Sequence, residues 1–398
     1  PGPVVVDVPK DVQNACAEFV YPEEPVRLPG ELGAQAATGE QVVQALAMIN
    51  TARRPVILAG HGVLLSGAMA ALFEIATTGT IPVTTTLLGS GGFPASHPLC
   101  LGMMGMHGEA AANHAIQEAD LLLAFGMRFD DRVTGHLATY APRARKIHID
   151  IDISELNKNV AVDLPVHADL NTVLNQLRGG IARVDRSDWL ARIGQWQADS
   201  QQRDVLNSDT GQVLLAAQVI HDIWRFTGGQ AVVVTDVGQH QMLQCQYYPH
   251  DEPHTLISSG GAGTMGFALP AAIGARFGAP AARELWAIAG DGSFQMTLME
   301  MATAVQENSN INICIINNGF LGMVRQWQEI FYERRYTATP ISGPDFVKLA
   351  GAYGMHGQRV DSRTEVEAAL AAAQAHHGPS LIEFVVEQHD MVYPMVSP

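Results

Sequence analysis

Cysteine, basic charge and long apolar runs are all scarce in these 398 residues. The four cysteines, Cys16, Cys100, Cys245 and Cys314, lie far apart with no CxxC pair, which argues against a disulfide framework or a zinc site and fits a reducing compartment. Lys and Arg number 24 against 40 Asp and Glu, a formal charge of −16. That leaves no basic face with interleaved aromatics for a nucleic acid or an anionic membrane. No apolar run approaches the roughly 20 residues needed to cross a bilayer, and no charged-then-apolar signal segment opens the chain. The expectation is a soluble cytoplasmic protein, or an organellar one if a transit segment has been removed, with neither nucleic-acid nor membrane partners.

What is present points to an α/β fold. A hydrophobic content of 47% over this length suits more than one buried core. Short β-rich runs alternate with helical patterns: "QVVQALAMINTA" helix, "PVILAG" strand, "GAMAALFEIATTG" helix, "IPVTTT" strand, then "AANHAIQEA", "DLLLAFG" and "KIHIDID". Strand then helix, repeated, implies parallel sheets covered on both faces. After the polar helical stretch "SDWLARIGQWQADSQQRD" the alternation resumes with "AVVVTD", "HTLISSG", "ELWAIAG", "INICIINN" and "SLIEFVV". We therefore expect two doubly wound parallel-sheet domains, at 40–180 and 212–398, with linkers at 26–39 and 181–211. The alanine-rich "EVEAALAAAQA" reads as a plain surface helix. "PGPVVVDVPKDV" reads as a buried strand, Val4 to Val8, with no earlier partner, so residues 1–25 are expected to be the tail of a further domain that lies upstream.

The stretch "GDGSFQMTLMEMATAVQENSNINICIINN" carries the chemistry. "ELWAIAG" ends at Gly290-Asp291-Gly292, which places Asp291 at the carboxyl end of a parallel strand. Phe294, Leu298, Met301, Ala302 and Val305 recur at helical spacing as one packed face of a crossover helix. "INICII" returns as the neighbouring strand with Asn317 and Asn318 at its carboxyl end, beside Asp291, at the edge where open α/β sheets bind ligands. A carboxylate oxygen and an amide oxygen converging there are hard ligands suited to Mg²⁺ or Ca²⁺, and Mg²⁺ commonly keeps phosphates in its shell. Ser293 starts the helix, whose free N–H groups favour an anion. A lone GDG is usually a turn; with the strand, helix, strand and NN pattern around it, a metal-bridged diphosphate is the better reading.

In these residues the chain resembles the thiamine-diphosphate enzymes. The resemblance implies that Asp291, the Asn318 side chain and the Phe320 carbonyl bind Mg²⁺. It further implies that Gly238, Gln239 and His240 contact the diphosphate, along with Gly290, Gly292 and Ser293, and that Gly263 lets the backbone approach the cofactor. Met265 would be the wedge that bends the cofactor, and Met323 would line the same pocket. Taken singly, His240 is an ordinary loop histidine and Met265 a core residue. "GMMGMHG" (102–108), "FGMRFDDRVTG" (125–135), "VGQHQM" (237–242), "GTMGFALPAAIGA" (263–275) and "GMVRQWQEIFYERRY" (322–336) narrow the resemblance to the acetohydroxyacid (acetolactate) synthases.

That family decarboxylates pyruvate and joins the two-carbon unit to a second 2-ketoacid, pyruvate or 2-ketobutyrate, in branched-chain amino-acid synthesis. Arg132 matches its acceptor-carboxylate clamp and Trp327 its acceptor-packing tryptophan. On residues alone, Arg132 reads equally as a surface arginine paired with Asp130 or Asp131, and Trp327 as core or interface. The family's middle domain carries FAD, which implies contacts at Gly60, Gly62, Thr86, Leu87, Met106, His107, Gly126, Arg128, Asp150 and Asp169. Leu65 stands where the third glycine of GxGxxG would be, so FAD follows from resemblance and not from spacing. The family also implies a homodimer or tetramer and a small regulatory subunit. Its catalytic glutamate belongs to the upstream domain and is absent here, so this chain alone is expected to bind cofactor poorly and turn over little. An oxidase or simple decarboxylase on the same cofactor, and a non-catalytic fragment or scaffold, stand as the other readings.

Overall fold

The computed structural model describes residues 6–21, 36–201, 205–208, 211 and 213–396. Chain contacts divide it into Pro1–Ala34 and Gln35–Pro398. In the first unit a single helical turn, Lys10–Asn14, buries nothing. Val6 and Val8 lie in no strand and are exposed, so the expected buried strand is not formed there; Val4 and Val5 lie outside the described residues, as does most of the 26–39 linker.

The second unit holds two six-stranded sheets, both wholly parallel. The first comprises β1 (Pro55–Ala59), β2 (Val83–Thr85), β3 (Cys100–Met103), β4 (Leu121–Phe125), β5 (Arg145–Asp150) and β6 (Leu164–His167), in the order β3-β2-β1-β4-β5-β6. The second comprises β7 (Val232–Thr235), β8 (Leu256–Ser258), β9 (Leu285–Gly290), β10 (Asn312–Asn317), β11 (His356–Val360) and β12 (Ser380–Val385), in the order β11-β12-β10-β9-β7-β8. Central strands are apolar without alternation because helices cover both faces. In β9, Trp286 and Ile288 enter one core, while Leu285, Ala287 and Ala289 enter the opposite one. Entry into the first sheet is fixed by the helix Gly39–Thr51, where Thr38 and Gln41 form a capping box.

Three elements differ from the pattern in the sequence. The helix Ser187–Gln201 is no bare connector: Trp189, Ile193 and Trp196 are buried against the first sheet's outer core, and the Trp189 indole donates to the Pro55 carbonyl at 3.2 Å. Arg363–Ala375 is not a plain surface helix, since Val366, Ala369, Leu370 and Ala373 are buried. The crossover after Gly290 is broken into Asp291–Gln295, a 3₁₀ turn Leu298–Glu300, and Met301–Gln306. Thr297 interrupts it by donating its hydroxyl to the Gly266 carbonyl at 2.9 Å. The break rotates the packed face, so Phe294, Met301 and Ala304 are buried while Ala302 and Val305 are exposed. No helix among the described residues is long and apolar enough to cross a membrane.

Candidate active site

β7 and β9 are adjacent, yet the chain leaves β7 for β8 on one side and β9 for β10 on the other. Loops that diverge at such a switch point open a cleft at the carboxyl ends of the strands. One pocket there is lined by Gly238, Gln239 and His240 after β7, Gly290 to Ser293 after β9, Asn318 and Phe320 after β10, and by Met265, Met323 and Val324. Gly263 is exposed and outside that lining. Register explains the meeting of β9 and β10: Gly290 lies opposite Ile316, so the next residues, Asp291 and Asn317, emerge together.

Asp291 is only 5% exposed and has no cationic partner among the described residues. Burial pushes its carboxyl up to about 6, and the Glu383 carboxylate nearby adds to the rise; the backbone amides of Asp291 itself, Gly292 and Gly319 oppose it. A buried carboxylate facing a cleft without a counter-ion is a site prepared for a cation. The helix behind it is a single turn, so its dipole adds less than a continuous crossover helix would. Ser293 Oγ is engaged with the Gly290 amide and carbonyl, both at 3.2 Å.

The orientation of the Asn318 amide follows from backbone groups whose polarity is unambiguous. The Gln326 side chain accepts from Val392 N at 2.9 Å and donates to Val392 O at 2.8 Å. Gln239 Nε2 donates to Gln326 Oε1 (2.9 Å) and to the Asp390 carbonyl (3.2 Å), which leaves Gln239 Oε1 to accept from Asn318 Nδ2 at 3.2 Å. Asn318 Oδ1 then accepts from Phe320 N at 3.1 Å and keeps a second lone pair. Gly322 is required here, because a Cβ on it would run into Gln239 Oε1 and come within 2.7 Å of Asn318 Nδ2.

His240 is buried, its Nε2 has no partner, and burial lowers it to about 4 despite the neighbouring Asp236, so it is neutral. Sequence reasoning missed Asp236. Its buried carboxylate accepts from Gly266 N (2.8 Å) and Ala268 N (2.9 Å), and so fixes the turn that carries Met265. The only signal was an acid at a strand end, just before the "VGQHQ" turn. Arg132 and Trp327 lie outside the pocket lining but meet each other: the guanidinium carbon sits 5.5 Å from the indole ring centroid. Trp327 lies one helical turn beyond Met323 and Val324, which line the pocket. The Arg132 side chain is 58% exposed and its contact with Asp131 is long, at 4.0 Å, so the surface ion pair does not consume it.

The ten positions matched to a flavin site gather at the carboxyl ends of the first sheet. Gly60 and Gly62 follow β1, Thr86 and Leu87 follow β2, Met106 and His107 follow β3, Gly126 and Arg128 follow β4, Asp150 ends β5 and Asp169 follows β6. The strand order switches between β1 and β4, where dinucleotides bind in doubly wound sheets. Several of these residues also serve the fold. A Cβ on Gly60 would strike the Gly126 carbonyl, and one on Gly62 would lie 2.6 Å from Gly126 Cα. Leu87 packs on Gly260, Arg128 pairs with Asp130 at 3.3 Å, and Asp169 caps the helix Leu170–Arg178. Asp150 accepts from Asp152 N at 2.9 Å. His107 is lowered to about 4 by burial, and its Nδ1 has no partner.

Residues 42–177 match the central domain of thiamine pyrophosphate enzymes, and residues 236–384 match their C-terminal TPP binding domain. Along its whole length the chain is 43% identical to the acetolactate synthase large subunit of Corynebacterium glutamicum and 42% identical to the acetolactate synthase of Mycobacterium avium, of which it covers 64% and 65%. It is 40% identical to the acetolactate synthase isozyme 2 large subunit of Escherichia coli and covers 71% of that protein. The chain belongs to the acetolactate synthase family. It spans a little under two thirds of the Corynebacterium and Mycobacterium relatives. Within an acetolactate synthase fold, most of the lining of the pocket at the β7/β9 switch, from Val237 to Val324, falls inside the segment matched to thiamine pyrophosphate binding.

Proposed function

We propose that the chain carries the cofactor- and acceptor-binding machinery of an acetolactate synthase, which decarboxylates pyruvate and joins the two-carbon unit to pyruvate or 2-ketobutyrate. The observation that carries this reading is Arg132 stacked on Trp327 one helical turn from the pocket. A planar cation can hold the acceptor's carboxylate in a bidentate grip while the indole packs its alkyl group. Hard oxygen donors and a counter-ion-free carboxylate fit Mg²⁺, with Asp291, Asn318 Oδ1 and the Phe320 carbonyl as its protein ligands. When bound, thiamine pyrophosphate supplies the electron sink for loss of CO₂, and Mg²⁺ the charge that holds its pyrophosphate. The chain's own part is to bind and orient. Gly238, Gln239, His240, Gly290, Gly292 and Ser293 admit the pyrophosphate end, while Met265, held by Asp236, and Met323 pack the reacting end; Gly263, outside the lining, has no such part.

The first-sheet domain, 40–180, is the flavin-type domain in this reading, and 212–398 the pyrophosphate and metal domain. The β1/β4 switch and the orphaned His107 Nδ1 support FAD there. Relatives are named large subunits, which supports a small-subunit partner; in this reading that partner is regulatory and the enzyme is a cytoplasmic homo-oligomer. Arg132→Ala is expected to cut acetolactate formation by about 100-fold, the loss of a charge-assisted bidentate contact, while cofactor-dependent loss of CO₂ from pyruvate persists. Equal loss of both activities, or of neither, overturns the assignment.

A further inference from the structure

The paired asparagines at the end of β10 do different work. Asn317 Oδ1 accepts from the Gly319 backbone amide at 3.1 Å, so its Nδ2 faces the other way and donates to Glu383 Oε1 at 2.7 Å. Both ends of that amide are therefore occupied within the protein. Glu383 is a carboxylate in the middle of β12, 3% exposed, with Ile315 of β10 and Arg359 of β11 as its cross-strand neighbours. Asn317 lies two residues beyond Ile315 on the same face of β10, within diagonal reach. Arg359 Nε pairs with the second Glu383 oxygen at 2.8 Å, and Arg359 Nη2 reaches Asp345 at 3.2 Å. At the inner end, Gly319 lies in the left-handed region at φ +69 and closes the turn that carries Asn318 beside Asp291, whose strand position is fixed by the Gly290–Ile316 pairing.

We infer that Glu383 and Asn317, anchored by Arg359, are positioning residues for the divalent ion: they lock the Asn317–Gly319 turn so that Asn318 and Asp291 stay aimed at one point. Neither residue is assigned a ligand role. The inference deepens the function proposed above and rests on it. Outer partners that orient ligands are the usual source of tight metal binding, and their loss commonly weakens it by about 10- to 100-fold.

The test is calorimetric titration of Mg²⁺ into the full-length protein in the presence of thiamine pyrophosphate, with acetolactate formation followed separately. Glu383→Gln keeps the shape and removes the charge; Asn317→Ala removes the clamp and leaves the charge. Each is expected to raise the Mg²⁺ concentration for half-saturation by about 10-fold or more, with turnover recovering at saturating Mg²⁺. The double variant is expected to be little worse than the weaker single variant, as for residues acting through one path. Unchanged Mg²⁺ half-saturation in both single variants overturns the inference while leaving the proposed function standing. A wild type that binds thiamine pyrophosphate without needing a divalent ion overturns the proposed function itself. Should Glu383→Gln not fold, Asn317→Ala alone decides.

Discussion

Asp291 shows most directly how one side chain trades stability for binding. Its folded carboxyl, at about 6, lies above the ordinary 3.8, so the folded state holds its proton more tightly than the unfolded state. The stability this provides is fully present below the ordinary value and is lost as pH rises to about 6, at most about 3 kcal/mol. In metal-free protein, the melting temperature of Asp291→Asn minus that of wild type should therefore grow by a few degrees between about pH 4 and pH 7, then level off. Thiamine pyrophosphate with Mg²⁺ should reverse the order, because only the wild type gains from binding. A difference independent of pH would mean that Asp291 ionises as a surface carboxylate. Asp291 and Asn318 were legible in the sequence because the GDG turn, the apolar run and the NN pair each have a local signature. Asp236, Glu383 and Gln326 were not: each acts across strands or helices far apart in the chain, and only the folded register brings it to its partner.

At the level of elements, the helix Gly322–Phe331 is the hinge between chemistry and specificity. Its first residue must lack a side chain, since a Cβ at Gly322 would displace Gln239 and Asn318, while its next turn carries Trp327 beneath Arg132. Gly322→Ala should leave the fold intact, because the crowded atoms belong to side chains, yet weaken Mg²⁺-dependent cofactor binding by about 10-fold, as expected when a ligand's orientation is lost. Near-UV circular dichroism and titration of cofactor separate the two effects; unaltered binding would show that the Gln239–Asn318 bond is dispensable. Long buried strands such as β1, β4, β9 and β10 were readable as continuous apolar runs. The crossover's break was not, because the apolar spacing through Met301 fits a continuous helix and the interruption comes from Thr297 reaching across to Gly266. The packing of the Trp189 helix was not legible because its apolar face is only Trp189, Leu190, Ile193 and Trp196 in an otherwise polar sequence, too thin to reveal what it covers.

Across the whole second unit, the two sheets are joined at the site as well as by the chain. Arg132 from the loops of the first sheet rests on Trp327 from the second. The C-terminal stretch crosses both: Gln326 holds Val392, Gln246 bonds the carbonyls of Tyr393 and His107, and Val396 N donates to the Met106 carbonyl at 2.9 Å. The α/β class was legible from alternation, but this joining was not, since it depends on side chains such as Gln246 and Gln326 reaching backbone carbonyls far along the chain. The account rests on a divalent ion held between β9 and β10. Its most direct test is the anomalous difference map of crystals of the protein grown with thiamine pyrophosphate and Mn²⁺ in place of Mg²⁺. A single strong peak is predicted within coordination distance of an Asp291 carboxylate oxygen, Asn318 Oδ1 and the Phe320 carbonyl. Cofactor bound with no peak there, or a peak that Asp291 or Asn318 does not reach, would contradict it.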